Sequence, residues 1–263
     1  MNKFTFALAL GAGLVLSAAG RTTDAAPIVQ NLDAPELSAS EFNSLFKPIA
    51  EAPPITAEYR FINTPLTGVV QSQVLEGTGA YAGLYAYAYQ FGVKDVKDES
   101  GEPTSVNSAS LQFNATPTRA DLLGTGGPGS AVFVVKDGTV GGLSVPVSSV
   151  AGGGIQIPSS VAWLPGEKTG ALTFQYLDAS KATDPIGAGS TTGTIVVLTT
   201  EKWTNKLVSL QNANPQIVYP SAYASEGGPI QEVPVPEPST VLAWAGIIAA
   251  AGLVQRRRNR RAA

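Results

Sequence analysis

The sequence predicts a mainly β protein in which residues 55–218 form a β-sandwich of the jelly-roll or immunoglobulin-like type. From Thr56 onward, short runs of alternating apolar and polar residues are separated by Gly, Pro, Asn and Asp, a pattern typical of strands and turns. No long stretch repeats its apolar residues with a helical period. The chain contains no cysteine, so a buried core must stabilise it without disulfide bonds, and about 160 residues can supply such a core.

Several segments have the composition and alternation of strands. They are 59–62, 69–75, 81–93, 106–113, 131–135, 143–150, 155–163, 171–177 and 194–199. The runs 132–135 and 195–198 are apolar at every position, which indicates central strands with both faces buried. The sequence Lys136-Asp137-Gly138-Thr139 predicts a tight turn with hairpin geometry.

The segments on either side of this region differ in composition. Residues 27–54 are rich in Pro, Ala and Glu, and we expect them to be partly helical, with a short helix over 38–47. Ser38 or Ser40 is the expected cap of this helix, and Pro48 lies near its end. Residues 219–235 are rich in Gly, Pro and Ser and predict a flexible stalk.

Residues 1–26 have the parts of a signal peptide. Lys3 gives a short positive start, residues 4–16 are apolar, and residues 17–20 are small enough for cleavage, with a second choice near Ala25. An uncleaved transmembrane helix is the alternative, but the apolar stretch is short for one. The sequence therefore predicts export by the Sec machinery.

The C-terminal residues 236–261 combine a proline-flanked glutamate, an apolar segment and an arginine cluster. Residues 240–254 are fifteen uncharged residues, about 22 Å of helix against a hydrocarbon core of roughly 30 Å, so we expect a marginal transmembrane helix. Arginines on one flank only place the C-terminus in the cytoplasm and the body outside. These arginines are Arg256, Arg257, Arg258, Arg260 and Arg261.

This tail resembles the PEP-CTERM sorting signal of exported bacterial proteins. The resemblance rests on Pro236-Glu237-Pro238-Ser239, the apolar segment and Arg256-Arg257-Arg258, in that order. It implies that an exosortase, a membrane transpeptidase-like enzyme with a cysteine nucleophile, recognises Pro236, Glu237 and Pro238 and removes the tail. It also implies a precursor anchored in the inner membrane and a body then delivered to the cell surface or outside the cell. A plain membrane anchor is the alternative that composition alone allows.

Charge is unevenly distributed along the chain. Residues 27–235 contain ten Lys and Arg against eighteen Asp and Glu, a net charge of −8, whereas the tail is strongly basic. An acidic body has no electrostatic attraction for nucleic acid, so we expect no nucleic-acid partner.

The most regular predicted strand, 81–93, carries a row of tyrosines. Tyr81, Tyr85, Tyr87 and Tyr89 are expected on one face, with alanines on the other. Such a row is a candidate face for stacking on sugar rings of an extracellular polysaccharide. The favoured interpretation is packing against the opposite sheet, since aromatic residues are common in strands for that reason alone.

An acidic loop follows the tyrosine strand. Asp95, Asp98, Glu99 and Glu102 offer the oxygen ligands that Ca²⁺ prefers. Their spacing does not match an EF-hand, and Lys94 and Lys97 lie among them, so a solvated acidic turn is the favoured interpretation. Apart from this candidate calcium site, the sequence predicts no cofactor and no metal.

The residue types exclude several classes of enzyme. The chain has no histidine and no cysteine, which removes Ser-His-Asp and Cys-His catalysis and most zinc sites. Residues 124–129 spell the dinucleotide pattern GxGxxG, but they lead into a strand instead of a helix. Residues 44–47, 105–107 and 168–170 spell the motifs of serine penicillin-recognising enzymes, but strands are predicted where those enzymes need a helical domain.

We therefore expect an exported, non-catalytic protein of the cell surface or extracellular matrix. The resemblance of the tail implies an association with exopolysaccharide and biofilm, so a structural, adhesive or glycan-associated role is the leading hypothesis for the body. A secreted carboxylate-dependent glycan hydrolase or lyase is the alternative. It needs two carboxyl groups facing each other across a cleft, and no such pair stands out in the sequence.

Overall fold

Short strands dominate the described part of the chain, which comprises residues 29–144, 154–166, 170–177, 184–212 and 216–226 of a computed structural model. The prediction of a mainly β protein is confirmed. Most strands belong to two large sheets, and one short hairpin forms a third. Residues 1–26 and 236–261, the predicted signal peptide and sorting signal, lie outside the described residues. No helix within the described ranges is both long and apolar enough to cross a membrane.

The first sheet runs in the order β1-β11-β12-β6-β15-β16, and β17 pairs with β15. Its strands are β1 (Gln30–Leu32), β6 (Ser108–Gln112), β11 (Ser160–Leu164), β12 (Ala171–Gln175), β15 (Trp203–Gln211), β16 (Ile217–Val218) and β17 (Ser221–Ser225). All of the pairings in this sheet are antiparallel. Strands distant in sequence are neighbours here, so the chain crosses between the sheets several times.

The second sheet centres on β5, which pairs with β4 on one side and with β13 and β14 on the other. Its strands are β2 (Phe46–Pro48), β3 (Ile55–Tyr59), β4 (Gly68–Gly77), β5 (Tyr85–Val93), β7 (Val132–Val135), β10 (Ile155–Gln156), β13 (Thr191–Thr192) and β14 (Thr194–Thr199). β2 and β3 both pair with β4, β7 pairs with β14, and β10 runs parallel to β13. The short hairpin consists of β8 (Thr139–Val140) and β9 (Leu143–Ser144).

An aromatic layer lies between the two large sheets. The ring of Tyr87 packs edge-on against Phe113, 5.3 Å between centroids, and the ring of Phe174 lies 5.9 Å from both Tyr89 and Phe91. All five side chains are buried, and they belong to one cluster that draws residues from both sheets. The inner faces of the two sheets therefore pack directly against each other.

The second sheet is buried on its outer face as well. Ala88, Val196 and Phe133 point away from the aromatic layer and join a second core cluster. Helix α1 (Ala39–Leu45) covers this face with Phe42, together with residues of the β8–β9 hairpin. This double burial explains why 132–135 and 195–198 are apolar at every position, as the sequence predicted for central strands.

Helix α1 begins where the sequence predicted. Ser38 is the N-cap, and its hydroxyl accepts from the Glu41 backbone N–H at 3.2 Å while the Glu41 carboxylate accepts from the Ser38 backbone N–H at 3.2 Å. The helix ends at Leu45, two residues earlier than the predicted 47, because Phe46 enters β2 and stacks on Phe42 at 4.8 Å. Residues 27–54 thus contribute strands as well as a helix.

The predicted turn at Asp137-Gly138 is present but joins different sheets. Gly138 has a positive φ of 63°, which a turn of this kind requires. The strand before it, β7, pairs with β14, while β8 after it pairs with β9. The Asp137 carboxylate accepts from the Ala39 backbone N–H at 3.0 Å, so this turn is tied to the start of α1.

The expectation of a flexible stalk over 219–235 is wrong for its first part. Ser221–Ser225 form β17, which pairs with β15 along Trp203–Leu207. Ala222 and Ala224 are completely buried, and the Tyr223 backbone N–H donates to the Ser72 hydroxyl of the second sheet at 2.9 Å. Pairing with distant strands overrides the preference of these small and polar residues for an irregular conformation. Residues 227–235 lie outside the described residues.

We predict that a charge is tolerated at one end of β17 and not at the other. Ala224→Asp places a carboxylate in the core and should lower the free energy of unfolding by several kcal/mol, measured by urea denaturation. Ser221→Asp, on the exposed end of the same strand, is the matched control and should change it by less than about 0.5 kcal/mol. Equal, small effects at both positions would restore the stalk interpretation.

Candidate functional site

The tyrosine row does not form an exposed stacking face. Tyr87 and Tyr89 are completely buried in the aromatic layer, and their hydroxyls donate to the backbone carbonyls of Glu201 and Tyr223, both at 2.8 Å. Tyr85 is half-buried at the edge of this layer, with its ring 5.5 Å from that of Trp203. The row is therefore packed against the opposite sheet, which was the favoured interpretation.

Tyr81 lies apart from the other three tyrosines. β5 begins at Tyr85, not at 81 as predicted, and Tyr81 closes a 3₁₀ turn, Gly79–Tyr81. Its ring stacks on Phe46 in the second core cluster, 6.2 Å between centroids, and its hydroxyl donates to the Asp121 carbonyl at 2.8 Å. The connection between β4 and β5 has a positive φ at Gly79 and at Gly83. This backbone conformation is not that of a strand, so the alternation that the tyrosine spacing indicated does not extend back to Tyr81.

The acidic loop forms a hydrogen-bonded turn around Asp98. One oxygen of its carboxylate accepts from the Ser100 hydroxyl at 2.6 Å and from the backbone N–H groups of Ser100 and Glu102. These hydrogen bonds, chiefly that of the Ser100 hydroxyl, hold the pKa of Asp98 below its ordinary value. Asp95, Glu99 and Glu102 are exposed. Nowhere in the described residues do three or more Asp or Glu side chains gather as metal ligands.

The two motif-like stretches have structural roles. Residues 124–129 form a loop in which the Asp121 carboxylate accepts from the backbone N–H groups of Thr125 and Gly126, so they provide no helix N-terminus for a phosphate. Ser44 lies near the end of α1, where its hydroxyl donates to the Glu41 carbonyl at 2.7 Å. The Lys47 ammonium donates to the Asn43 carbonyl at 2.6 Å and does not reach Ser44 in the way a base would.

On four neighbouring strands of the first sheet, the described outward residues are uncharged and remain at least partly exposed; we call this surface the open face. Along each strand, inward residues such as Leu111, Leu172 and Leu210 are buried, and the residues between them point outward. None of the outward residues on the following described strand segments carries a charge. They are Ser108, Ser110 and Gln112 on β6; Ser160, Ala162 and Leu164 on β11; Ala171, Thr173 and Gln175 on β12; and Leu207, Ser209 and Gln211 on β15.

Short polar side chains form the middle of the open face. Thr173 and Ser110 are cross-strand neighbours, and their hydroxyl oxygens are 3.0 Å apart in a hydrogen bond. Ser209 lies opposite Ser110 on the next strand, and Gln175 lies opposite Ser108. Each hydroxyl or amide has both donor and acceptor capacity, and the sheet fixes the spacing between them. This part of the face suits a ligand rich in hydroxyl groups.

A shallow groove of about 580 Å³ crosses one end of the open face; we call it the sheet groove. Its apolar lining includes Leu164, Leu207 and Tyr219, whose exposed fractions are 38%, 57% and 59%. Its polar lining includes Gln112 and Ser209. An exposed tyrosine and two exposed leucines around one concave surface are a pattern typical of binding sites.

The signal for the open face in the sequence was the alternation of apolar residues with small or polar residues along its strands. Ser108–Gln112 reads Ser-Ala-Ser-Leu-Gln and Ala171–Gln175 reads Ala-Leu-Thr-Phe-Gln, so every second residue is small or polar. That pattern predicted strands with one exposed face but not which exposed faces lie side by side. Comparison of the chain with protein-family models, with curated proteins and with solved structures found no match.

The buried tyrosines predict a loss of stability in alkali. Burial raises the pKa of Tyr59, Tyr87, Tyr89 and Tyr176 far above the ordinary value of about 10. Above pH 10 the unfolded chain therefore releases protons that the folded protein keeps, and the free energy of unfolding falls as pH rises. Below pH 10 both states keep these protons, and this contribution to stability is fully present.

The prediction is tested by urea unfolding between pH 9 and 11.5. In Tyr89→Phe, the fall of the unfolding free energy with pH should be less steep by about 1.4 kcal/mol per pH unit, because one titrating proton is removed. The same substitution should lower stability at neutral pH, because it removes a buried hydrogen bond. Phe91→Leu, a substitution in the same aromatic layer that removes no hydroxyl group, should lower stability but leave the slope unchanged. An unchanged slope in Tyr89→Phe would show that this hydroxyl is accessible to solvent in the folded protein.

Proposed function

We propose that this chain is an exported, non-catalytic protein of the cell surface or extracellular matrix whose body, a β-sandwich, associates with extracellular polysaccharide. The open face is the observation that carries the proposed association, because a flat, uncharged and hydroxyl-rich surface is left free on a sheet whose other side is fully packed. The direct packing of two large sheets supports the sandwich, and its jelly-roll or immunoglobulin-like connectivity is part of the proposal.

The carboxyl groups support a binding role over hydrolysis. A glycosidase needs one carboxyl group with a raised pKa to protonate the leaving group. Hydrogen bonds lower the carboxyl pKa values of Glu41, Asp98 and Asp121, which is the opposite of what such an acid needs. Asp98 and Glu102 line one small cavity of about 50 Å³, but Asp98 is held there as a hydrogen-bonded carboxylate. A glycan hydrolase or lyase remains the competing hypothesis.

The proposed route to the surface depends on the two ends of the chain. The Sec machinery exports the protein, the apolar segment 240–254 holds the precursor in the inner membrane, and an exosortase recognises Pro236, Glu237 and Pro238. Nine residues, 227–235, separate the last residue of the described core, Glu226, from this motif. Removal of the tail leaves every strand of the described core intact.

We predict that Glu237 is required for processing. In a bacterial host that encodes an exosortase, Glu237→Ala should keep the mass of its C-terminal tail and remain in the membrane fraction, because the recognised carboxylate is gone. Glu232→Ala removes a nearby carboxylate outside the motif and should be processed like the wild type. Intact-mass spectrometry of membrane and extracellular fractions measures both. Identical mature masses and locations for the two variants would remove the sorting proposal.

A further inference from the structure

We propose that the sheet groove is a binding subsite for a neutral polysaccharide, with Tyr219 as the residue that stacks on a sugar ring. This inference rests on the proposed function, since it assigns the ligand class and the contact point to the open face. It follows from three independent features of the groove: its charge, its length and its exposed aromatic ring.

The charge pattern selects a neutral polymer. None of the described residues that line the groove is charged, so none of them offers a guanidinium or ammonium group to pair with a uronate, sulfate or phosphate. The body also has a net charge of −8 over residues 27–235, which repels a polyanion. An uncharged polysaccharide needs no cationic partner and is not repelled by the net negative charge.

The length of the groove fits a chain of sugars better than a single sugar. Its lining residues come from β11, β12, β6 and β15, which are consecutive strands of the first sheet. Three spacings between neighbouring strands amount to about 14 Å. Along this path, Ser209 offers a donor and an acceptor on a short, half-buried side chain, which loses little conformational freedom when it binds a hydroxyl group, and Gln112 adds an amide.

The exposed ring supplies the apolar contact. Tyr219 keeps 59% of its surface exposed although it lies against a packed sheet, and Leu207 beside the same groove keeps 57%. The flat, weakly polar face of a tyrosine can cover the C–H face of a sugar ring while its hydroxyl stays in water. Ile62 is also strongly exposed, at 69%, but does not line the sheet groove, which makes it a control position.

The test measures binding of the full-length protein, purified in a mild detergent, by affinity electrophoresis in gels that contain galactomannan, mixed-linkage β-glucan or alginate. We expect retardation by at least one of the neutral polymers and none by the anionic alginate. Tyr219→Ala should weaken the apparent affinity by about ten-fold or more, as truncation of a central aromatic contact does. Tyr219→Phe keeps the ring and should stay within about two-fold of the wild type, and Ile62→Ala should be unchanged.

The possible failures separate this inference from the proposed function. Stronger retardation by alginate, or neutral binding that Tyr219→Ala leaves intact, would overturn the subsite and leave a polysaccharide-associated surface protein in place. Absence of retardation by both neutral polymers would also overturn it. A change in oligomeric state in Tyr219→Ala, seen by size exclusion without loss of glycan binding, would assign the groove to a second copy of the chain. Release of reducing ends from any polymer would instead contradict the non-catalytic function itself.

Discussion

The ring of Phe174 on β12 lies 5.9 Å from both Tyr89 and Phe91 on β5, and this contact, with Tyr87 against Phe113, holds the two large sheets face to face. The chain has no cysteine, so its stability depends on packing of this kind and not on disulfide bonds. Truncation of one such buried ring to alanine typically costs about 3–5 kcal/mol, a large share of the stability of a whole domain. The buried hydroxyls of Tyr87 and Tyr89 are compatible with this layer because backbone carbonyls accept from them.

The outer faces of the two sheets differ in how they are covered, and the proposed function rests on that difference. Helix α1 and the β8–β9 hairpin help to cover the second sheet, whose outward residues include Ala88, Val196, Leu198 and Phe133. Buried polar residues such as Gln90 and Thr194, which hydrogen-bond to each other, lie among them. The first sheet keeps its outward serines, threonine and glutamines in contact with solvent. A sheet that is anchored on one side and free on the other presents a rigid surface whose groups need little reordering on binding. The open face and the sheet groove are therefore the proposed binding surface, in preference to the loops that carry acidic residues.

Local patterns predicted the strands well where burial and alternation agree, as along Gly68–Gly77, Val132–Val135 and Thr194–Thr199. The start of α1 was also predictable, because Ser38 and Glu41 form a capping box within four residues. β15 and β17 were missed because Lys, Asn, Ser and Ala obscure their alternation and because their partners are far away in sequence. The open face could not be predicted as a site, since its rows depend on pairing strands as distant as β6, β12 and β15.

The contrast between one open face and one covered face is tested most directly by thiol labelling, because the natural chain contains no cysteine. Thr173→Cys places a thiol in the middle of the open face, and Val196→Cys places one in the second core cluster, on the covered outer side of the second sheet. Under native conditions a thiol reagent should modify the first at nearly its rate in the unfolded chain and the second more slowly by on the order of a hundredfold or more. Similar rates at the two positions would contradict the assignment of one open and one covered face.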